Sequence, residues 1–313
     1  MISLKELKKQ WKTVLIGVSA VFGIAIALFI IGPYFKDMNF VIGAIGAVSG
    51  GTISIIMVQE AALAKGLLLV ATFPVLIAAF QGLIGFPLTS IILRKEAKRL
   101  QKEYRAGNLE TISPEEEAKD KKTRLPKFLQ TTPGTLFIVG VVVIAAQFIS
   151  GLTGGMLNTF IIALFFGIAL KELGILKSGI LNGIDAYGLM MLALLIIIFG
   201  PLASASVNDL IDLIVPIVIA FTVGILGNVA FSSITGKILG YSIPISIGIG
   251  LTSLYGFPGT QILSEEAAES VGENEEEVKA IKSQILPKMI IAGFATVTIT
   301  SVILTGILVD FIH

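Results

Sequence analysis

Ser49-Gly50-Gly51-Thr52 interrupts a long apolar run with two hydroxyls and two glycines. Gly224-x-x-Gly227-Asn228, followed by Ser232 and Ser233, does the same in a later run. Two further runs close on almost the same words, Gly85-Phe86-Pro87-Leu88-Thr89-Ser90 and Gly256-Phe257-Pro258-Gly259-Thr260-Gln261. In such stretches Gly admits a ligand to the backbone, and Pro removes an amide donor and frees the carbonyl one turn earlier. Thr and Ser add hydroxyl oxygens. The chemistry this allows is binding: helix N-termini facing anionic groups, with freed carbonyls and hydroxyls holding Na+. Thr89, Ser90, Thr260, Gln261, Ser49, Gly50, Gly51, Thr52 and Asn228 are therefore the candidate substrate- or ion-binding residues.

Bond-making chemistry has no comparable foothold. The chain has no cysteine and one histidine, His313, so thiol chemistry, disulfides, Cys/His metal sites and His-dependent catalysis drop out. No phosphate loop or nucleophile elbow is present. Asp209 and Asp212 follow Ser204, Ser206 and Asn208 and read as a helix N-terminus. Glu60 and Asp185 sit at the ends of apolar runs, where a charged group reaches water. The expectation is a non-enzyme with no cofactor other than a candidate Na+, and no nucleic-acid partner.

The elements that must carry these residues are membrane helices. Of 313 residues 54% are apolar and 14% charged, against about 25% charged in soluble domains. Runs of the length a bilayer demands, about 20 apolar residues, recur throughout. Nine are read: 12–33, 39–58, 65–92, 134–150, 156–171, 184–204, 210–227, 238–256 and 284–311. The period-two alternation of a barrel is missing. The fold class is all-α, a multi-pass protein of the cell membrane with broken helices. Between the helices, 94–105 continues out of the membrane as a charged helix, and Ser113-Pro114-Glu115-Glu116 starts a second.

The twin Gly-Phe-Pro stretches suggest an internal repeat. Leu4-Lys5-Glu6-Leu7 matches Leu170-Lys171-Glu172-Leu173, Gly32-Pro33 matches Gly200-Pro201, and Leu125-Pro126-Lys127 matches Leu286-Pro287-Lys288. Lys65 before Pro74 resembles Lys237 before Pro244. The offsets run from 161 to 172 residues, dividing the chain into 1–150 and 151–313. Related segments would lie five crossings apart and point in opposite directions, an inverted repeat. The stretch 94–127 holds eleven Lys/Arg and seven acids, net +4, whereas 264–288 holds seven Glu and three Lys, net −4. Positive charge puts the first in the cytoplasm. Counting crossings puts the second outside, and the N-terminus with Lys5, Lys8, Lys9 and Lys12 outside too, against that rule. The first half would also lack one helix of the second. A tenth is then supplied by a small membrane subunit or a second copy, or is absent.

In architecture the chain resembles inverted-repeat ion-coupled secondary transporters of organic anions and amino acids. The resemblance implies alternating access around a mid-depth site for a small polar solute. Few buried acids and no buried His favour Na+, or no coupling ion, over a proton relay. The alternative is a non-transporting subunit or channel of a larger complex that supplies the tenth helix.

Overall fold

The computed structural model describes residues 4–32, 37–109, 126–154, 157–176 and 187–313. Pro33, Ser113–Glu116, Leu125 and Asp185, each used above, lie outside them. Every regular element among the described residues is a helix. Five are long and apolar enough to cross a membrane: Trp11–Ile31, Leu68–Arg105, Thr132–Leu152, Val207–Ile238 and Glu275–Phe311.

The chain forms two compact units. One is Met1–Leu4 with Glu115–Ala203. Its elements are α6 (Thr132–Leu152), α7 (Thr159–Glu172) and α8 (Tyr187–Phe199). Thr131 and Asn158 cap the first two through their side chains. These helices expose Phe137, Ile144, Phe148, Phe165, Leu189 and Ile196, apolar surface suited to lipid.

The other unit is Lys5–Pro114 with Ser204–His313. After a short α1 (Leu4–Lys9) come α2 (Trp11–Ile31), α3 (Met38–Val48), α4 (Thr52–Ala64) and α5 (Leu68–Arg105). Later come α9 (Val207–Asp212), α10 (Ile214–Ile238), α11 (Ile243–Leu251), α12 (Gly259–Glu269), α13 (Glu275–Gly293) and α14 (Ser301–Leu308). A π-helical turn, Phe294–Thr300, joins α13 to α14. Ser206 and Asp209 close a capping box at the start of α9, so the helix-start reading holds for Asp209, whereas Asp212 is the last residue of that helix.

At the centre α2 and α10 lie antiparallel. Gly23 faces the Gly227 carbonyl and Phe231 Cβ, while Gly227 faces the Gly23 carbonyl and Ala27 Cβ. An added Cβ at either glycine would overlap the opposite backbone. Nearer one end Thr13 meets the Tyr241 hydroxyl at 3.0 Å and Lys12 donates to the Leu239 carbonyl.

Around this pair the chain twice turns back on itself. α3 runs antiparallel to α14, from the Asn39–His313 contact through Gly46–Thr305 to Ser49–Ser301. α4 runs parallel to it, from Ser54–Ser301 to Lys65–Ile312. α3 and α4 are therefore the two legs of a hairpin. Its turn is Ser49-Gly50-Gly51, with φ of 87° and 100° at the glycines, a conformation that a Cβ disfavours. The legs span only ~16 and ~20 Å, about half a bilayer's apolar core. α11 and α12 repeat the arrangement against α5. α11 runs antiparallel to it (Ser242–Glu96, Gly248–Leu93, Leu254–Gly85) and α12 parallel (Gly259–Phe86, Ser90–Glu266, Gln101–Val271). The turn is Tyr255–Pro258.

Several sequence expectations change here. Runs 39–58 and 238–256 are not continuous helices; the first is most of the α3–α4 hairpin and the second ends α10 and forms α11. Gly85-Phe86-Pro87 does not break its helix, because α5 passes through Pro74 and Pro87, whereas Gly256 at φ 58° turns the chain. Gly224–Asn228 stays helical within α10, its glycines spent on contacts with α2 and α3. The twin Gly-Phe-Pro stretches lie side by side and point the same way. Arg105 pairs with Glu273 at 2.9 Å and Glu277 at 2.7 Å, so the basic and acidic stretches that were expected on opposite faces meet at one end. Lys12 belongs to that end as well: Thr13 beside it touches Tyr241, whose ring Lys288 overlies at 5.6 Å. The basic N-terminal flank and the basic end of α5 thus lie together, as the charge rule asks.

The Gly23–Gly227 contact generates a test. Gly23→Leu or Gly227→Leu overpacks a backbone contact and costs about 3 kcal/mol or more. Gly140→Leu, on α6 with nothing within 4 Å of its Cβ position, leaves stability almost unchanged. Thermal unfolding of the three purified variants measures both.

Candidate functional site

The two hairpin turns meet inside this unit. A Cβ on Gly50 would overlap the Ser253 carbonyl, and one on Gly51 would lie 2.6 Å from the Val297 carbonyl. Val297, in the π turn, also packs against Gly256. Its side chain therefore touches both turns. The extra residue of a π turn shifts the helical ladder locally and brings the backbone to places a regular helix would not reach.

Around the first turn the polar groups are hydroxyls and a carbonyl. Ser301 Oγ lies 3.0 Å from Ser49 Oγ and 2.7 Å from Ser54 Oγ, and donates to the Gly50 carbonyl. All three serines are fully buried. Around the second turn, Asn228 Nδ2 donates to the Gly250 carbonyl at 3.0 Å and to Ser253 Oγ at 3.2 Å. Thr252 donates to the Ile249 carbonyl and lies 3.2 Å from Thr296 Oγ1. Asn228 thus fastens α10 to the end of α11 through the groups that the turn sets free.

Among the described residues two buried oxygens here have no hydrogen-bond partner, Thr260 Oγ1 and Asn228 Oδ1, while Thr89 Oγ1 and the Tyr255 hydroxyl have only each other. The Tyr255 hydroxyl lies beside Thr89, and its ring stacks on Phe86 at 5.2 Å. Thr260 is the second residue of α12, its methyl turned to Gly293. A buried hydroxyl left unpaired costs about 1–3 kcal/mol, so such a group invites a ligand or a water.

Of the residues singled out by sequence, the structure brings Ser49, Gly50, Gly51 and Asn228 together around the crossing. Thr89 and Thr260 both lie buried along the second turn, on α5 and α12. Thr52 is the exposed first residue of α4. Ser90 and Gln261 turn instead to acids on α12, donating to Glu266 at 2.7 Å and to Glu265 at 3.3 Å. Glu60 is exposed on α4. Ser54, Ser253, Tyr255, Thr296 and Ser301 were not singled out. The visible signal for the last two is a run of hydroxyls, Thr296, Thr298, Thr300 and Ser301, inside an otherwise apolar span.

No protein-family model matches the chain, and comparison with curated proteins finds no relative.

The orphaned Thr260 hydroxyl and the Asn228 pin give opposite expectations without ligand. Thr260→Val removes an unpaired buried hydroxyl and raises stability by about 1 kcal/mol. Asn228→Leu strips two carbonyl and hydroxyl partners and lowers it by about 2 kcal/mol. Chemical or thermal unfolding of the purified protein measures the sign of each.

Proposed function

We propose that the protein is a secondary transporter that moves a small polar solute, an organic anion or amino acid, by alternating access. The observation that carries this reading is the meeting of two chain turns, at Ser49–Gly51 and Tyr255–Pro258, in a buried cluster of neutral oxygens. A protein built only to anchor would gain nothing from breaking helices in an apolar interior, where each freed backbone group must find a partner. Carriers use such breaks to bind.

The inverted-repeat reading rests on a different register from the twin Gly-Phe-Pro words. α2, α3–α4 and α5 correspond in kind and order to α10, α11–α12 and α13–α14, with starts displaced by 203, 205 and 207 residues. The Gly23–Phe231 contact has its counterpart in Gly227–Ala27, 204 residues on in each partner, as a pseudo-twofold axis between antiparallel helices requires. Each hairpin packs on the second half of the other set's long helix, and the two enter from opposite ends. In a bilayer they would be re-entrant, one from each face. The nine apolar segments then become seven crossings and two hairpins, with the three apolar helices of 115–203 supplying the odd number of passages between the repeats. The division into 1–150 and 151–313 gives way in this reading to repeats at 11–105 and 214–311, and no tenth helix is needed.

Reconstituted into liposomes, the protein is expected to show saturable uptake of a carboxylate or amino acid from a mixed labelled set. Ionophores that dissipate an imposed ion gradient abolish accumulation. Gly50→Ala, which drives a Cβ into the Ser253 carbonyl, reduces uptake by at least about tenfold, the factor that 1.4 kcal/mol represents. Flux that neither saturates nor depends on a gradient would point to a channel. The absence of any flux would point to a non-transporting subunit.

A further inference from the structure

We infer that the turn of the α3–α4 hairpin is a monovalent-cation site, with Na+ held by Ser49 Oγ, Ser54 Oγ, Ser301 Oγ and the Gly50 carbonyl oxygen. The inference deepens the transporter reading, on which it rests for its purpose, by naming the coupling ion.

Four oxygens from three segments gather here, and Ser301 Oγ contacts each of the other three. A hydroxyl has one hydrogen to give. Ser301 spends it on Gly50 and leaves its lone pairs to Ser49 and Ser54. The three hydroxyl hydrogens serve the three contacts of the cluster, and they rotate outward to turn lone pairs inward when a cation enters. All three serines are fully buried, so a bound ion would exchange its water for these oxygens.

The C-terminal end of α3 brings its carbonyls to the turn, and α4 begins on the other side of it, so the two helix poles offset each other and the oxygens themselves set the preference for charge. The positive φ of Gly50 and Gly51 sets the direction of the freed carbonyl. The four oxygens are all neutral, which suits a single positive charge. Ca2+ takes six to eight oxygens, commonly with carboxylates among them, and Mg2+ keeps several waters. The acids of this unit that form ion pairs, such as Glu273 and Glu277, sit at its end beside Arg105.

Coupling follows from position. The same turn presses against Ser253 in the second hairpin, and Val297 packs on both. An ion bound among Ser49, Ser54, Ser301 and the Gly50 carbonyl spreads these oxygens slightly and fixes the first turn, and through these contacts the second. Thr89, Thr260 and the Tyr255 hydroxyl lie along that second turn, so ion occupancy and solute affinity move together and reciprocally.

The test is thermal unfolding of the purified full chain in choline chloride, titrated at constant ionic strength with NaCl, LiCl or KCl. Na+ and Li+ are expected to raise the midpoint by several degrees in a saturable way, and K+ is not. Ser301→Ala and Ser54→Ala should each weaken the half-saturating Na+ concentration by about tenfold or more. Thr222→Ala, whose hydroxyl bonds its own helix on an exposed face, should respond as wild type. If Ser301→Ala does not fold, Ser54→Ala decides. No response to Na+, an equal response to K+, or wild-type behaviour in folded Ser301→Ala or Ser54→Ala overturns the assignment. Na+ stabilisation without solute uptake would keep the site and remove the transporter reading. Uptake indifferent to Na+, with no shift, would do the reverse.

Discussion

Backbone amides and carbonyls cannot be left bare in an apolar interior, and this constraint governs the larger unit. Two hairpins stop halfway through an apolar bundle, and each turn frees groups that a continuous helix would have satisfied. They are satisfied by one another's surroundings. Ser301 answers the Gly50 carbonyl, Asn228 answers the Gly250 carbonyl, and the π turn lays Val297 across both turns. The glycine contact between α2 and α10 makes room for this by letting those helices approach backbone to backbone. The long helices α5 and α13–α14 then act as rails along which both legs of a hairpin pack.

Charge is kept to the ends. Arg105, Glu273 and Glu277 tie the far end of α5 to the start of α13, while Lys65 and Asn39 hold residues 312 and 313 at the opposite end. Between them the polar groups at the crossing are neutral oxygens and one carboxamide. Such a centre can bind by orienting lone pairs and hydroxyls without the heavy desolvation cost of a buried charge. Stabilising ends and a weakly committed centre suit the alternating-access cycle proposed above, in which the centre binds and releases.

Much of this was legible in the sequence. The helical membrane character follows from run length, and Ser49-Gly50-Gly51-Thr52 marks a turn because two adjacent glycines flanked by hydroxyls have little reason to sit in an apolar helix. The Gly-Phe-Pro words misled because the same tripeptide continues a helix at 85–87 and turns the chain at 256–258. A proline inside a helix bends it, whereas the chain reverses at Tyr255–Pro258, where Gly256 adopts a positive φ. The repeat that contact geometry suggests has few written traces, chiefly Gly23 with Gly227 and Gly32 with Gly236. Elsewhere Leu, Ile, Val and Ala exchange freely on lipid-facing surfaces. The opposite-face placement of the two charged stretches failed because it counted each apolar run as one crossing. A hairpin leaves by the end it entered, and each one changes the parity of everything after it. Ser54 and Ser301 escaped notice because single serines within apolar helices usually bond their own backbone.

The central claim is that α3–α4 and α11–α12 each enter and leave by a single end, from opposite ends. Because the chain lacks cysteine, introduced thiols report without background. In sealed vesicles of known orientation, an impermeant maleimide should label Met38→Cys and Lys65→Cys from one face. Gly240→Cys and Ser270→Cys should be labelled only from the other. Labelling of Met38→Cys and Lys65→Cys from opposite faces would mean that this segment crosses the membrane outright, and the account would fall with it.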